Sequence, residues 1–176
     1  MVALERVPAA WQSGRRCFDR FCDARLWAEA IEAARIMFQS GEQDALVALG
    51  HGVWLAVTFP VDPELSVALL QDIIEETPDD SDGAAVAAAT AAYVVNLRSE
   101  GKEYESLSFF ANRMLGTVAR RHSGIEDQQA FDLWIERLEL HDPACFLPRL
   151  RNVVDVLVQD NWWIDREVIQ ASLPVQ

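Results

Sequence analysis

The sequence predicts an all-α protein, and three observations carry that prediction. Apolar residues recur at helical spacing along almost the whole chain, as Trp27, Ile31 and Phe38 do on one stripe. Most of the eight Gly and seven Pro residues fall between apolar runs, where helices begin and end. No stretch alternates apolar and polar residues over the length of a strand. We therefore expect helices throughout.

Eight helical segments follow from the periodicity: 18–38, 44–59, 62–77, 84–98, 104–121, 126–140, 143–158 and 165–172. The first ends at Gly41. Asp62-Pro63 and Asp142-Pro143 each combine an N-cap carboxylate with a proline at the first helical position, which marks a helix start.

Two of these segments predict where the core lies. Segment 84–98 is rich in Ala and apolar on every face, which is typical of a central, buried helix. In segment 104–121, apolar residues lie at helical spacing, as on the apolar face of a helix: Leu107, Phe110, Met114 and Val118.

The spacing of the helices leaves two architectures open. Helix starts fall near 44, 84 and 126, and their partners near 64, 104 and 146, which is a period of about 40 residues. HEAT-type arrays of helix pairs have repeats of about this length. The residues themselves do not repeat convincingly, and similar helices with short loops reach such spacing by chance. The alternatives are an irregular multi-helix bundle and a short HEAT-like helical-pair array, either with about seven or eight helices.

Length and composition indicate a single α-helical domain over residues 1–176. The chain is 51% hydrophobic, with six Trp and eight Phe, which is enough for one core. The most apolar stretches, 45–59 and 84–97, are about 15 residues long and short of the roughly 20 that span a bilayer. The first residues show no apolar leader, and the three cysteines do not predict a disulfide framework. We therefore expect a cytoplasmic protein.

Charge is the most informative feature of the sequence. The formal net charge is −13, and between Arg35 and Arg98 there is no Lys or Arg but ten Asp or Glu residues. The densest part of this interval, the acidic run, consists of Asp72, Glu75, Glu76, Asp79, Asp80 and Asp82. Such a run is either a solvated face that aids solubility or a patch that docks on a basic partner. Its last three members also precede a helix, where a carboxylate can act as N-cap.

The pair Trp162-Trp163 is a second hint of a binding surface. Adjacent side chains of this size point in different directions, so we expect one in the core and the other exposed as an apolar anchor for a partner. The alternative is that neighbouring segments bury both. We therefore predict a partner-binding surface made of the acidic run with Trp162 or Trp163.

The sequence carries no recognised catalytic, metal or cofactor motif. His141, Asp142 and Cys145 are close in sequence, but the helix start at this point scatters their directions, so we expect no metal. A nucleophilic pair of Cys145 with His122 or His51 stays open. His51 lies in an apolar helix and is better explained as a core histidine with a satisfied ring nitrogen.

These features favour protein binding without catalysis. Direct nucleic-acid binding needs a basic stripe, whereas this chain has one Lys and a small cluster of Arg113, Arg120 and Arg121. We therefore expect a protein partner with a basic surface, no cofactor and no membrane association. The most concrete version is an inhibitor or immunity-type protein that blocks a basic toxin or a nucleic-acid-handling protein. The alternatives are an assembly subunit of a larger complex and an enzyme with a pocket between helices.

Overall fold

The computed structural model describes residues 6–173, and all regular structure in that range is helical, which confirms the predicted all-α class. Its nine helices are α1 (Arg6–Asp23), α2 (Trp27–Gln39), α3 (Ala45–Thr58), α4 (Pro63–Glu76), α5 (Asp82–Arg98), α6 (Gly101–Ser123), α7 (Gln128–Arg137), α8 (Pro143–Val158) and α9 (Arg166–Ala171). None of these helices is long and apolar enough to cross a membrane.

The predicted first helix, 18–38, is in fact two helices joined at Arg25, so this prediction was wrong. The Leu26 N–H donates to the Phe21 carbonyl at 2.9 Å, and the Arg25 N–H donates to the Cys22 carbonyl at 3.1 Å. Arg25 has a φ of 57°, in the left-handed region. These two bonds around a left-handed residue end a helix in the way that Gly usually does. Because an arginine occupies the position, the sequence has no visible stop signal here.

The helix starts follow their N-cap residues closely. Asp62 and Asp142 accept hydrogen bonds from the backbone two residues ahead, with prolines at the first helical positions, as predicted. At the start of α5 the cap is Ser81, whose Oγ accepts from the Gly83 N–H at 3.2 Å. The acidic residues around Ser81 therefore do not supply the cap that the sequence suggested, and Asp82 is the first helical residue instead.

The core lies around α3 and α5. Helix α3 packs against α2, α4 and α8, while α5 packs against α4, α6 and α8. Close approach of α3 to α8 requires a glycine, because a Cβ at Gly50 would overlap Val158 Cγ2. In a helical array each pair contacts only its neighbours. Since α8 returns to pack on both α3 and α5, the fold is an irregular bundle and not a HEAT-like array.

Two arginines donate hydrogen bonds to carbonyls at the C-terminal end of another helix, which in each case lies two helices earlier in the chain. Arg98, at the end of α5, donates to the carbonyls of Ala56 and Val57 at 2.8 and 2.9 Å, at the end of α3. Arg121 of α6 donates to the carbonyls of Ile74 and Thr77 at 3.1 and 3.3 Å, at the end of α4. These carbonyls have no partner within their own helix, and a cation complements the negative end of the helix dipole. The two arginines thus tie α3 to α5 and α4 to α6.

We expect Glu139→Gly to raise the free energy of unfolding by about 0.5–1 kcal/mol. Glu139 ends α7 with a φ of 53°, a conformation that a side chain disfavours and glycine tolerates. Its carboxylate also lies at the negative end of the helix dipole. Equilibrium urea denaturation of both proteins measures the difference.

The matched control is Gly124→Ala at the end of α6, where φ is 63° and nothing lies within 4 Å of the position of a Cβ. This change should lower the free energy of unfolding by about 1 kcal/mol through backbone conformation alone. Equal effects of the same sign in both variants would contradict this account of the helix ends.

Candidate functional site

The acidic run is partly neutralised inside the protein. Asp72 Oδ2 accepts from Arg35 Nε at 2.8 Å, and the Asp72 side chain is only 13% exposed. Asp79 Oδ1 lies 3.2 Å from Arg121 Nε, which forms an ion pair without hydrogen-bond geometry. The Asp82 carboxylate contacts the His122 ring and the Arg149 guanidinium. Half of the run therefore has a structural role.

Asp79 and Asp82 are exposed although they are paired, and the other half of the run, Glu75, Glu76 and Asp80, is exposed with no ion pair among the described residues. Glu75 Oε1 accepts from Gln71 Nε2 at 2.9 Å, which leaves its charge uncompensated by that contact. These three residues are the part of the predicted acidic surface that a partner would meet as net negative charge.

Neither Trp162 nor Trp163 extends freely into solvent, so the expected division into a core and a surface tryptophan does not describe them. Both are half-buried and pack against the core. The guanidinium of Arg166 lies 3.8 Å from the ring centroid of Trp162, and that of Arg15 lies 4.1 Å from the centroid of Trp163. The packing matches the alternative in which neighbouring segments cover both.

The two tryptophans enclose His51, which is fully buried and stacks on Trp163 with ring centroids 4.4 Å apart. His51 Nδ1 lies 2.7 Å from the Val47 carbonyl, and His51 Nε2 accepts from the Trp163 backbone N–H at 2.9 Å. A carbonyl can only accept, so the proton of the neutral ring is on Nδ1. Burial lowers the pKa of His51 to about 4. The prediction of a core histidine is confirmed, with both ring nitrogens satisfied.

Sequence reasoning missed a second surface, the first half of α6, where residues 101–106 are all exposed. Phe109 is 69% exposed and Phe110 is 42% exposed. Of the four apolar residues that lie at helical spacing in this segment, Phe110 is exposed, whereas Met114 and Val118 further along α6 are buried. The apolar residues of α6 begin closer to its N-terminus than the neighbouring helices extend, so the first of them remain uncovered. An available signal was Phe109, which lies about 100° around the helix from Phe110, so the two cannot share one stripe.

Phe110 also lines a groove between α4 and α6, which we call the α4–α6 groove. One part is a pocket of about 370 Å³ lined by Arg35, Glu64, Val67, Ala68, Gln71, Ser106, Leu107 and Phe110. The adjoining part, of about 270 Å³, is lined by Gln71, Ile74, Glu75, Phe110, Arg113, Met114, Thr117 and Val118. The groove thus has an apolar floor, and it brings Glu75 of the acidic run beside an exposed aromatic residue.

A polar cluster forms where the end of α6 meets α5, α7 and α8. His122 Nε2 lies 3.0 Å from Asp82 Oδ1, and Arg149 Nη2 donates to Asp82 Oδ2 at 3.1 Å. On the other side of the ring, His122 Nδ1 lies 2.6 Å from Ser123 Oγ and accepts from Trp134 Nε1 at 3.3 Å. The His122 side chain is only 10% exposed. This arrangement joins residues up to 67 positions apart in sequence.

The nucleophilic pair that sequence left open is not assembled around Cys145. The thiol donates to Asp142 Oδ2 at 3.5 Å, and this bond raises the pKa of Cys145, which disfavours the thiolate. Both histidines that were considered with it have other partners. Within residues 6–173 no three His, Cys, Asp or Glu side chains are grouped so as to hold a metal ion.

Comparison with known proteins shows no family model, no curated protein and no solved structure that matches this chain.

The buried His51 should make stability depend on pH. The unfolded chain binds a proton at this residue near pH 6.5, whereas the folded protein does so only near pH 4. The free energy of unfolding therefore falls as pH drops through this window, by up to about 3 kcal/mol from this group. His51→Gln should be less stable near neutral pH, and its deficit should shrink toward pH 4. Urea denaturation at a series of pH values measures this.

The matched control is His141→Gln, because His141 is exposed. Its stability curve should run parallel to that of the unmodified protein. A deficit of His51→Gln that stays constant with pH would mean that burial does not keep the ring neutral.

Proposed function

We propose that this protein acts by binding another protein, and that the α4–α6 groove with the first half of α6 forms the docking surface. The observation that carries the proposal is the exposure of Phe109 and Phe110 beside this groove. Full burial of a Phe side chain stabilises by about 1.5–3 kcal/mol. Two adjacent exposed aromatic residues on a helix with an uncovered face therefore favour contact with a partner.

The charges around the groove select the kind of partner. Glu64 and Glu75 line the groove, and three of the four charges between residues 100 and 105 are glutamates. Two arginines also line the groove: Arg35 is paired with Asp72, and Arg113 is exposed in the part beside Glu75. An apolar floor with a rim that is acidic except at Arg113 is complementary to a segment that presents apolar anchors among Lys or Arg residues.

A second copy of this chain fits the surface poorly. Each copy carries a formal net charge of −13, and the faces brought together would both be acidic. Like charges that meet across an interface oppose association. The proposed occupant is therefore a basic amphipathic helix of a different protein.

The groove also sets the length of the occupant. It follows α6 from Ser106 to Val118, which is about 18 Å at the rise of an α-helix. Three turns of a partner helix span this distance, with anchors at positions i, i+3 or i+4, and i+7. The exposed Glu76 and Asp80 continue the negative charge beyond Glu75 along the chain.

An inhibitor of a basic toxin or of a nucleic-acid-handling protein is the most concrete form of this function. It is supported by the acidic charge of the chain. An assembly subunit would also use exposed aromatic residues. The salt dependence of the binding affinity distinguishes an inhibitor from an assembly subunit. Salt screens charge contacts at an exposed rim but does not screen apolar contacts.

The test is selection of a random 16-residue peptide library on the folded protein, followed by affinity measurements with the best peptide. We expect selected peptides to be rich in Lys and Arg, with apolar residues at helical spacing. Phe110→Ser should weaken binding tenfold or more, and Phe109→Ser should weaken it less because Phe109 lies beside the groove. Glu75→Lys should weaken it strongly at low salt and much less at high salt.

Two control variants match these changes on other faces. Val168→Ser removes an exposed apolar residue of α9, and Glu136→Lys reverses an exposed charge of α7. Both should leave the affinity unchanged, and thermal melting checks that every variant is folded. Peptides without basic residues would overturn the choice of partner, and an unchanged affinity of Phe110→Ser would overturn the surface.

A further inference from the structure

Gly116 is the one glycine among the described residues that the fold itself does not explain. It lies in the middle of α6, where glycine destabilises a helix relative to alanine. Three other glycines have a positive φ, and at the remaining four a Cβ would lie within 4 Å of another atom of the chain: Gly41, Gly101 and Gly124, then Gly14, Gly50, Gly52 and Gly83. At Gly116 nothing lies within 4 Å of the position of a Cβ. The protein's own packing therefore does not use the space that Gly116 leaves.

That space belongs to a cavity of about 430 Å³ between α6 and α7. Small-molecule binding sites have volumes of about 300–1,000 Å³, so this one is large enough for a small ligand. Gly124, with a φ of 63°, ends α6, and the Ile125 N–H donates to the Ala119 carbonyl at 3.4 Å. This turn reverses the chain, so the loop before α7 forms the second wall of the cavity.

Two opposite charges line the cavity without pairing. Arg120 lies one turn after Gly116, about 6 Å along α6, and Glu126 lies in the loop. Both side chains are exposed, and neither forms an ion pair with another described residue. Asp127 also lines the cavity, but its carboxylate accepts from the Ala130 N–H at 2.9 Å as the N-cap of α7. The cavity thus offers a cation and an anion to a ligand.

One side of the cavity is apolar. Ala119 is fully buried there, and Ile125 and Phe131 are half-buried. The Phe131 ring packs against the buried Trp134, with ring centroids 5.9 Å apart, which holds this wall in place. An apolar group of a ligand can lose its contact with water against these three side chains.

We propose that this cavity binds a free α-amino acid with an apolar side chain. The Arg120 guanidinium binds the carboxylate, Glu126 binds the ammonium group, and the ligand side chain packs on Phe131. Gly116 leaves the room for the backbone atoms of the ligand. An α-amino acid fits because it carries both charges on one carbon atom, so a single small molecule is complementary to both residues.

The same charges disfavour other occupants. A ligand with only a phosphate or a carboxylate would lie beside Glu126 and Asp127, and a lysine or arginine of a partner would meet Arg120. The cavity is also separate from the docking surface, because Gly116 and Phe110 lie about 120° apart around α6. Binding of basic peptides and binding of amino acids can therefore fail independently of each other.

The test is titration of the full chain with L-phenylalanine at low salt, followed by NMR chemical shifts of the backbone amides. Contacts between exposed charges are weak, so we expect a dissociation constant of about 1 mM. The amides of Gly116 and of the loop before α7 should shift most. Two probes lack one charge each: 3-phenylpropionate has no ammonium group, and 2-phenylethylamine has no carboxylate. Both should bind about threefold to fivefold more weakly than L-phenylalanine.

Gly116→Leu separates binding from stability. The leucine should fill the cavity and weaken binding of L-phenylalanine at least tenfold. At the same time the melting temperature should rise by about 2–4 °C, because a glycine is removed from the middle of a helix. A purely structural role of Gly116 would lower the melting temperature instead, and unchanged binding in this variant would overturn the location of the site.

Arg120→Gln and Glu126→Gln test the two charges separately. Arg120→Gln should weaken binding of L-phenylalanine about fivefold without weakening that of 2-phenylethylamine, and Glu126→Gln should do so without weakening that of 3-phenylpropionate. Arg20→Gln is the matched control, because it removes an exposed arginine of α1 and should leave all three affinities unchanged. Equal losses for the amino acid and for the singly charged probe would overturn the proposal, as would no saturable binding of L-phenylalanine.

Discussion

The arginines that cover helix carbonyl ends are the interactions on which the rest of this structure depends. The last carbonyls of an α-helix lack partners within it, and burial without a partner costs about 1–3 kcal/mol for each group. Arg98 and Arg121 supply those partners for α3 and α4, and Arg149 does so for the turn after α7. The contacts of Arg98 and Arg121 each join helices that are not consecutive. These intramolecular arginine–carbonyl hydrogen bonds therefore help to hold the helices of the bundle together.

Because several arginines are engaged in contacts within the protein, fewer of them offset the acidic residues at the surface. The chain has 15 Lys and Arg against 28 Asp and Glu, and several arginines are held by carbonyls or by acids such as Asp72 and Asp82. What remains outside is negative, above all Glu75, Glu76 and Asp80. Half of the acidic run, Asp72, Asp79 and Asp82, is paired with cationic or polar side chains of the same chain.

The buried His51 and the partly buried His122 show how the same side chain is used in different ways. His51 is saturated by backbone groups on both nitrogens, so it holds the segment around Trp163 against α3 and has nothing left to exchange with a ligand. His122 has side chains on both sides, and one of them, Ser123, is exposed to solvent. His51 is thus held by backbone groups, whereas His122 is held by side chains from three other positions, Asp82, Ser123 and Trp134.

The sequence by itself determined the helical class, most helix bounds, the capped starts at Asp62 and Asp142, and the central position of α5. These depend on residues a few positions apart, whose spacing and capping are local. Only the tertiary structure decided that α8 closes the bundle, that Phe110 lies at the surface, and that His122 meets Asp82, 40 residues away. The physical reason is that an apolar stripe indicates which face of a helix packs against the core, but not how far the neighbouring helices extend along it. In the same way, a carboxylate shows its charge but not which distant cation or ring will reach it.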